Sequence, residues 1–428
     1  MTTPEPDKRE ARPQPGRRRH YAWIVVAVTF ATLLVGAGVR TAPGVLIRPL
    51  EQDFGWDRAS ISLAVAIGIF IFGLTAPMAG ALLDRFGPRR VMLAGASLTV
   101  LGLAPLLAMR EIWQLYIFMG LVTGVGTGAV SGSLGAVVAA RWFKTHRGIV
   151  IGIFGGATSM GQLIFIPSLL GLTTASGWRS AVGFLIVMGV VLLAPIALLM
   201  RNYPADKGLL PFGDDGTGHP GAGETEQSRT TKMSVALRGR EFWLLAGSYF
   251  ICGYTTAGLI TTHLIPYSLE HGFNEATTAG TMALMGAMNL VGTLSSGWLT
   301  DRYDNRRLLA IYFSTRAISL VALPFIMTAP QLLLFAVIYG FDWVATVPPV
   351  VNLTATIYGK GSLGVIYGWI FFAHMMGASI AAYAGGYLRD ALGDYNVVFA
   401  GAAVMAFIAV GFSLGIRLPG LRHAEAGS

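Results

Sequence analysis

Long apolar runs of twenty residues or so, separated by short polar breaks, recur along almost the whole chain. They show neither the two-residue alternation of barrel strands nor the heptads of a coiled coil. Each is long enough to cross a hydrocarbon layer about 30 Å thick as a helix. The pattern predicts twelve spans, over 21–49, 58–83, 90–109, 112–140, 147–173, 178–200, 241–269, 275–300, 307–327, 331–358, 362–389 and 395–417. The expected fold class is an all-α membrane protein of twelve transmembrane helices. A polar, proline-rich segment, 1–20, precedes the first bundle and reads as a disordered tail. A Gly, Pro, Asp and Thr-rich stretch, 201–240, separates a six-helix bundle over 21–200 from a second over 241–418 and reads as a linker; residues 419–428 form the second tail.

Composition agrees, with 54% hydrophobic and only 12% charged residues and a mean hydropathy of +0.60. A water-soluble chain of this length carries about twice that charged fraction. The net charge of +9 and pI near 9.8 invite a nucleic-acid partner until the basic residues are placed. On the side shared by both termini lie 24 lysines and arginines; the opposite side has five, Arg48, Arg58, Arg110, Arg179 and Arg389. The positive-inside rule then puts both termini in the cytoplasm, with the bilayer of the cell (inner) membrane as partner and no nucleic acid. Cys252 is the sole cysteine, so no intrachain disulfide can form and a small packing residue is expected. No zinc-binding HExxH, GxSxG elbow or carboxylate cage is written, so neither enzymatic catalysis, a metal nor a cofactor is expected. GLVTGVGTGAVSGSLG has glycine spacings of a nucleotide loop, but it lies inside a span, follows no strand and lacks a P-loop lysine. Helix packing is its reading.

Much of the chain is written twice. GALLDRFGPRR at 80–90 returns as GWLTDRYDNRR at 297–307, an offset of 217. At that offset Gly55-Trp56-Asp57 meets Gly272-Phe273-Asn274, each an aromatic followed by a helix-capping residue. At 216, Lys144, Gly148, Gly152, Ala157, Met160, Gly161 and Gly177 meet Lys360, Gly364, Gly368, Ala373, Met376, Gly377 and Gly393. Halves with an even number of spans lie parallel, related by an axis along the membrane normal. An acid at a helix end beside arginines in a very short loop can pair across to the other half or cap a helix end. Gly80 and Gly297, one turn before each acid, would permit close helix contact.

The first motif resembles the loop signature of the major facilitator superfamily, G-x-L-x-D-R-x-G-R-R, departing only at Pro88; the second has Asp304 in place of the glycine. The resemblance implies two pseudo-symmetric six-helix bundles. It also implies that Asp84, Arg85, Arg89 and Arg90, with Asp301, Arg302, Arg306 and Arg307, make cytoplasmic gating interactions and do not touch substrate. RWFKTHRGIVIGIFGGATSMG (141–161), GWR (177–179) and RTAPGVLIRPLEQDFGW (40–56) are similar to the monocarboxylate-porter and oxalate/formate-antiporter branches, which implies a small organic anion. Asn289 and Thr293 stand where eukaryotic-type porters carry an Asp and an Arg in helix 8. His374 is the basic residue helix 11 offers, where the antiporters use basic residues in helices 8 and 11.

Ionisable groups inside apolar spans are costly unless a cavity or a partner receives them. Arg40 could hold a carboxylate bidentately from helix 1, or snorkel to water. Asp342, beside Pro348 and Pro349 in helix 10, could carry a coupling proton or pair with Arg40 or with a backbone or Trp343 partner. His263 and His374 could donate to an anion or titrate, or merely pack. Arg316, in helix 9, should be peripheral in the resembled architecture, where it could act in function, snorkel, or make an interhelical structural contact. Asn289, Gln162 and Asn352 suit binding and interhelical hydrogen bonding equally. Together these imply a monomeric secondary transporter of a monocarboxylate-like anion, working by alternating access with proton coupling. An anion exchanger and an efflux carrier for amphipathic compounds are the alternatives; a sensor that borrowed the fold would need an output domain that neither tails nor linker can supply.

Overall fold

The computed structural model describes residues 20–214 and 231–418. Expectations for the first tail (1–19), the middle of the linker (215–230) and 419–428 fall outside the described residues. Eleven helical segments are long and apolar enough to cross a membrane. Glu275–Thr300, 26 residues, joins them although Thr, Ser and Asn289 dilute its hydropathy. The helices are α1 (Ala22–Phe54), α2 (58–86), α3 (88–103), α4 (Ile112–Trp142), α5 (Arg147–Ser176) and α6 (Trp178–Leu199). After the linker come α7 (Arg240–Glu270), α8 (Glu275–Thr300), α9 (Asn305–Phe325), α10 (Ala329–Tyr358), α11 (Leu363–Leu392) and α12 (Asn396–Leu414). No strand occurs among the described residues; an isolated bridge joins Phe143 to Phe212.

Local chemistry starts and stops these helices where the sequence suggests. Asp57 accepts from the Ser60 backbone N–H at 2.7 Å and Asn274 from that of Thr277 at 2.7 Å, so the duplicated caps open α2 and α8. Only Gly87, at φ 79° and ψ 157°, interrupts the helical backbone between α2 and α3; a side chain there would be strained and would strike Asn202. The glycine-rich run of α4 packs as expected. A Cβ on Gly124 would lie 3.0 Å from the Gly68 carbonyl of α2, and one on Gly126 2.8 Å from the Gly95 carbonyl of α3.

Within each half the helices pack in a bundle, and the halves meet through α1 on α7, α2 on α11 and α5 on α8. Three spans lose regular α-geometry beside the cavity between the halves, among them α4, a π-helix over Leu115–Val122. α7 is a π-helix over Tyr254–Ile260, and α10 is non-helical between Asp342 and Val347, just before Pro348 and Pro349. The freed Ala345 carbonyl accepts from the Ser296 hydroxyl of α8 at 2.5 Å. Such breaks are tolerated at membrane depth where protein or a cavity receives the freed groups.

One expectation fails. Around Gly80 and Gly297 there is nothing within 4 Å of an added Cβ, so neither glycine makes the close contact its position suggests.

Candidate functional site

A cavity of about 350 Å³ lies between the halves, lined from α1, α2, α4, α5, α7, α10 and α11. Arg40 enters it from the middle of α1. Its guanidinium lies 4.9 Å from the centre of the Phe72 ring on α2, a cation–π contact, and makes no hydrogen bond or ion pair among the described residues. The ring shields one face of the cation and leaves its donors open. Gln162 of α5 also lines the cavity, with a buried Oε1 that lacks a partner. His374 lines the far wall from α11; its Nδ1 sits 3.1 Å from the Tyr249 carbonyl, to which the N–H donates, and its ring packs 4.5 Å from Tyr249.

Asp342 does not line this cavity. It is 1% exposed and pairs with Arg316 of α9, whose Nε is 2.8 Å from Oδ2. Arg316 is fully buried, so it does not snorkel; it makes an interhelical pair away from the cavity surface. The guanidinium also donates to the Asp342 carbonyl at 3.0 Å, to Cys252 Sγ at 3.1 Å and to Thr255 Oγ1 at 3.3 Å. Cys252 and its neighbour Thr346 at 3.2 Å both line the cavity. The pair therefore sits one side chain behind the cavity wall, and Asp342 Oδ1 is buried without a partner.

Asn289 is drawn into the contact between the halves, whereas His263 is bonded within the second half. Asn289 donates to Ser159 of α5 at 3.1 Å. His263 is fully buried, with Nδ1 3.1 Å from the Tyr395 hydroxyl and Nε2 2.8 Å from the Ala382 carbonyl. Tyr395 also accepts from Arg58 at 3.0 Å, at the end of the molecule away from the termini, here the distal end. Arg58, 2% exposed, bridges Glu51 of α1 at 2.6 Å and Glu270 of α7 at 2.7 Å. Arg389 reaches Glu270 at 3.1 Å, and Asp390 accepts from the Ala59 N–H at 2.7 Å. Helices of both halves are thus tied together over the distal mouth of the cavity.

The fold thus has a central cavity between two parallel six-helix halves that are tied together at the distal end. The family profile of the Major Facilitator Superfamily matches residues 28–382 and 296–426. The chain belongs to that superfamily. An uncharacterized transporter of this superfamily from Bacillus subtilis, YcxA, is 28% identical over 92% of this chain and 94% of its own. Monocarboxylate transporter 13 of Rattus norvegicus is 26% identical over 93% and 89%. Among solved structures, a bacterial homologue of the human lysosomal transporter Spinster, inward-facing and unoccupied, matches with a TM-score of 0.74 at 14% identity, over 93% of this chain and 97% of that one. The protein is accordingly a multi-pass membrane transporter of the superfamily and not an enzyme.

In this superfamily member the duplicated loop motif keeps to its own half. Asp84 meets Arg141 of α4 at 3.4 Å with 77% of its side chain exposed. Arg89 donates to the Ala197 carbonyl at the end of α6 at 2.6 Å, and Arg306 to the Ile416 carbonyl just beyond α12 at 3.1 Å. These two arginines, 217 residues apart, serve as the C-terminal caps of the last helix in each half. Arg85 lies over Phe86 and Arg302 over Trp298; Arg90, Asp301 and Arg307 are exposed. Arg306 also grips Asp304 at 2.7 Å, and that hydrogen bond holds the Asp304 carboxyl below the usual carboxylate range.

Sequence reading missed two assemblies, the Arg316–Asp342 pair and the Arg58 cluster. The first had a signal: two opposite charges in adjacent apolar spans cannot both stay unpaired. For the second, Glu51 lies seven residues before Arg58 across a tight turn, but nothing local points to Glu270.

Proposed function

We propose that the protein carries a small organic anion of monocarboxylate type by alternating access, with proton coupling. The observation that carries this reading is Arg40, a cation without a polar partner inside a largely apolar cavity. A carboxylate entering beside it would form a charge-assisted, bidentate contact in surroundings where water competes poorly.

The coupling step is assigned to Asp342. With Arg316 ionised and Asp342 deprotonated, the buried pair is neutral. A proton on Asp342 leaves an uncompensated guanidinium one side chain behind the cavity wall, and the incoming anion offsets it. One proton and one negative charge then cross together. His374, facing the cavity from α11, is a further donor to the anion.

The experiment is uptake of labelled carboxylates into proteoliposomes with and without an inward proton gradient, for wild type, Arg40→Ala and Asp342→Asn. The expected result is accumulation driven by the gradient, abolished by Arg40→Ala. Asp342→Asn should lose accumulation and keep exchange. Uptake indifferent to Arg40 would end the carboxylate reading; accumulation surviving Asp342→Asn would end the coupling assignment.

A further inference from the structure

The cavity has one charged corner and a long apolar remainder, and that asymmetry bears on the size and shape of the anion. Its volume of about 350 Å³ equals roughly a dozen water molecules at about 30 Å³ each. It falls within the roughly 300–1,000 Å³ range of pockets that enclose drug-sized ligands. Acetate or formate held by Arg40 would leave most of this space to water against apolar walls.

The hydroxyls lining the cavity do little to offset that. Thr41 donates to the Gly38 carbonyl at 2.9 Å, Thr123 to Phe118 at 2.8 Å, Thr127 to Thr123 at 2.8 Å and Thr256 to Cys252 at 2.6 Å. Their hydrogens are engaged within their own helices, and the surface left to a ligand is rich in methyl groups. Phe72, Phe371, Trp343 and Met375 supply the larger apolar faces. Among the described lining residues Arg40 carries the single fixed positive charge. Arg316, behind Cys252, is committed to Asp342.

Resting on the carboxylate reading, we infer that the substrate is an arylalkanoate: one carboxylate on Arg40 and one aromatic ring laid against the apolar wall to which Phe72 and Phe371, themselves in edge contact with centroids 6.4 Å apart, contribute with Trp343 and Met375. A dicarboxylate such as oxalate would bring a second full charge for which the described cavity surface offers only the neutral groups of Gln162 and His374, because Arg316 stands behind Cys252 and one protonation of Asp342 offsets one negative charge. Each methylene buried on binding is worth about 0.8 kcal/mol, or about fourfold in affinity. Affinity should climb as an aryl tail is added.

The test is competition by acetate, propanoate, phenylacetate, 3-phenylpropanoate and oxalate for uptake of labelled phenylacetate into proteoliposomes of the full chain, with direct uptake of labelled acetate beside it. The expected result is inhibition by 3-phenylpropanoate at concentrations at least tenfold below acetate, and none by oxalate. Ala257→Leu, which fills the cavity from α7, should cut the aryl preference about tenfold and spare acetate; Val344→Phe on α10 should do the same if the first variant folds poorly. Acetate uptake with no gain from the ring, or oxalate as the best competitor, would overturn the inference and leave the carboxylate reading standing. A protein that is folded but takes up none of these acids would bring down both.

Discussion

The two ends of the molecule hold their helices in opposite ways. At the distal end the partners come from different halves: Arg58 with Glu270 and Tyr395, Ala59 with Asp390, and Thr174 with Glu275 at 2.7 Å. At the end carrying the termini, the arginines of the duplicated motif bond within their own half. Glycines there, Gly80, Gly148, Gly152, Gly297 and Gly364, have no neighbour within 4 Å of an added Cβ, and the same holds for Gly171 and Gly280 toward the distal end, so the ion pairs and hydrogen bonds carry the contrast. Helices α2 and α11 touch closely nearer the distal end, where a Cβ on Gly386 would be 3.0 Å from the Arg58 carbonyl. On the proposed alternating-access reading, this is the conformation tied at the distal mouth.

The largest effect on this contrast is expected from Arg58. Its guanidinium is almost fully buried among two carboxylates and a phenol, and removing one partner of such a cluster costs about 3–5 kcal/mol. Arg58→Ala should unlatch the distal end, read as a longer distance between spin labels placed on the distal ends of α2 and α11, with transport reduced at least tenfold. Unchanged distances would mean that packing alone keeps that end shut. Next comes the buried pair of the second half. Arg316→Met should lower the melting temperature strongly by leaving Asp342 unpaired, whereas Arg316→Met with Asp342→Leu should recover most of it. Equal losses in both would show that the pair is not energetically coupled.

A subtler change is expected from Gly80→Leu and Gly297→Leu. Both fit the space in the described conformation, so folding and ligand binding should survive. If these helix ends must close on each other during the cycle, turnover should fall several-fold with the same labels fixed in the distally shut state. Full transport activity would show that these faces never meet.

Smaller still is Asp84→Asn. The pair with Arg141 is mostly solvent-exposed on the acid side, and such pairs contribute about 0–1 kcal/mol. Least of all is the Asp304 contact. Because its folded pKa is depressed, its stabilisation is present above the unfolded value near 3.9 and is lost as pH falls through the lowered folded value. A thermal-shift profile should show Asp304→Asn and wild type converging only below about pH 4, and a difference confined to neutral pH and above would contradict the assignment.

The twelve spans, the duplication and the caps at Asp57 and Asn274 were legible because each rests on local pattern: length, period and a short polar side chain before a helix. Arg40 and His374 were legible as cavity residues because a cation or imidazole in an apolar span needs a receiver. His263 and Asn289 show the limit of that reasoning. Their need for partners was visible, yet they are met by Tyr395, Ala382 and Ser159, far apart in sequence, and not by the cavity. For Arg316 an interhelical role was legible but its partner was not: Asp342, 26 residues on, was expected on Arg40 or on a backbone or Trp343 group. Gly80 and Gly297 were read as contact points without regard to the fact that a moving protein has contacts it makes only part of the time.

The hooks of Arg89 on α6 and Arg306 on α12 have a mechanical consequence. Each fastens the start of the third helix of a half to the end of its last helix, closing a ring within the bundle. A ring of packed rods resists shear where an open row would fan out. Displacement applied at one rim therefore arrives at the other as rotation, with little lost to bending on the way.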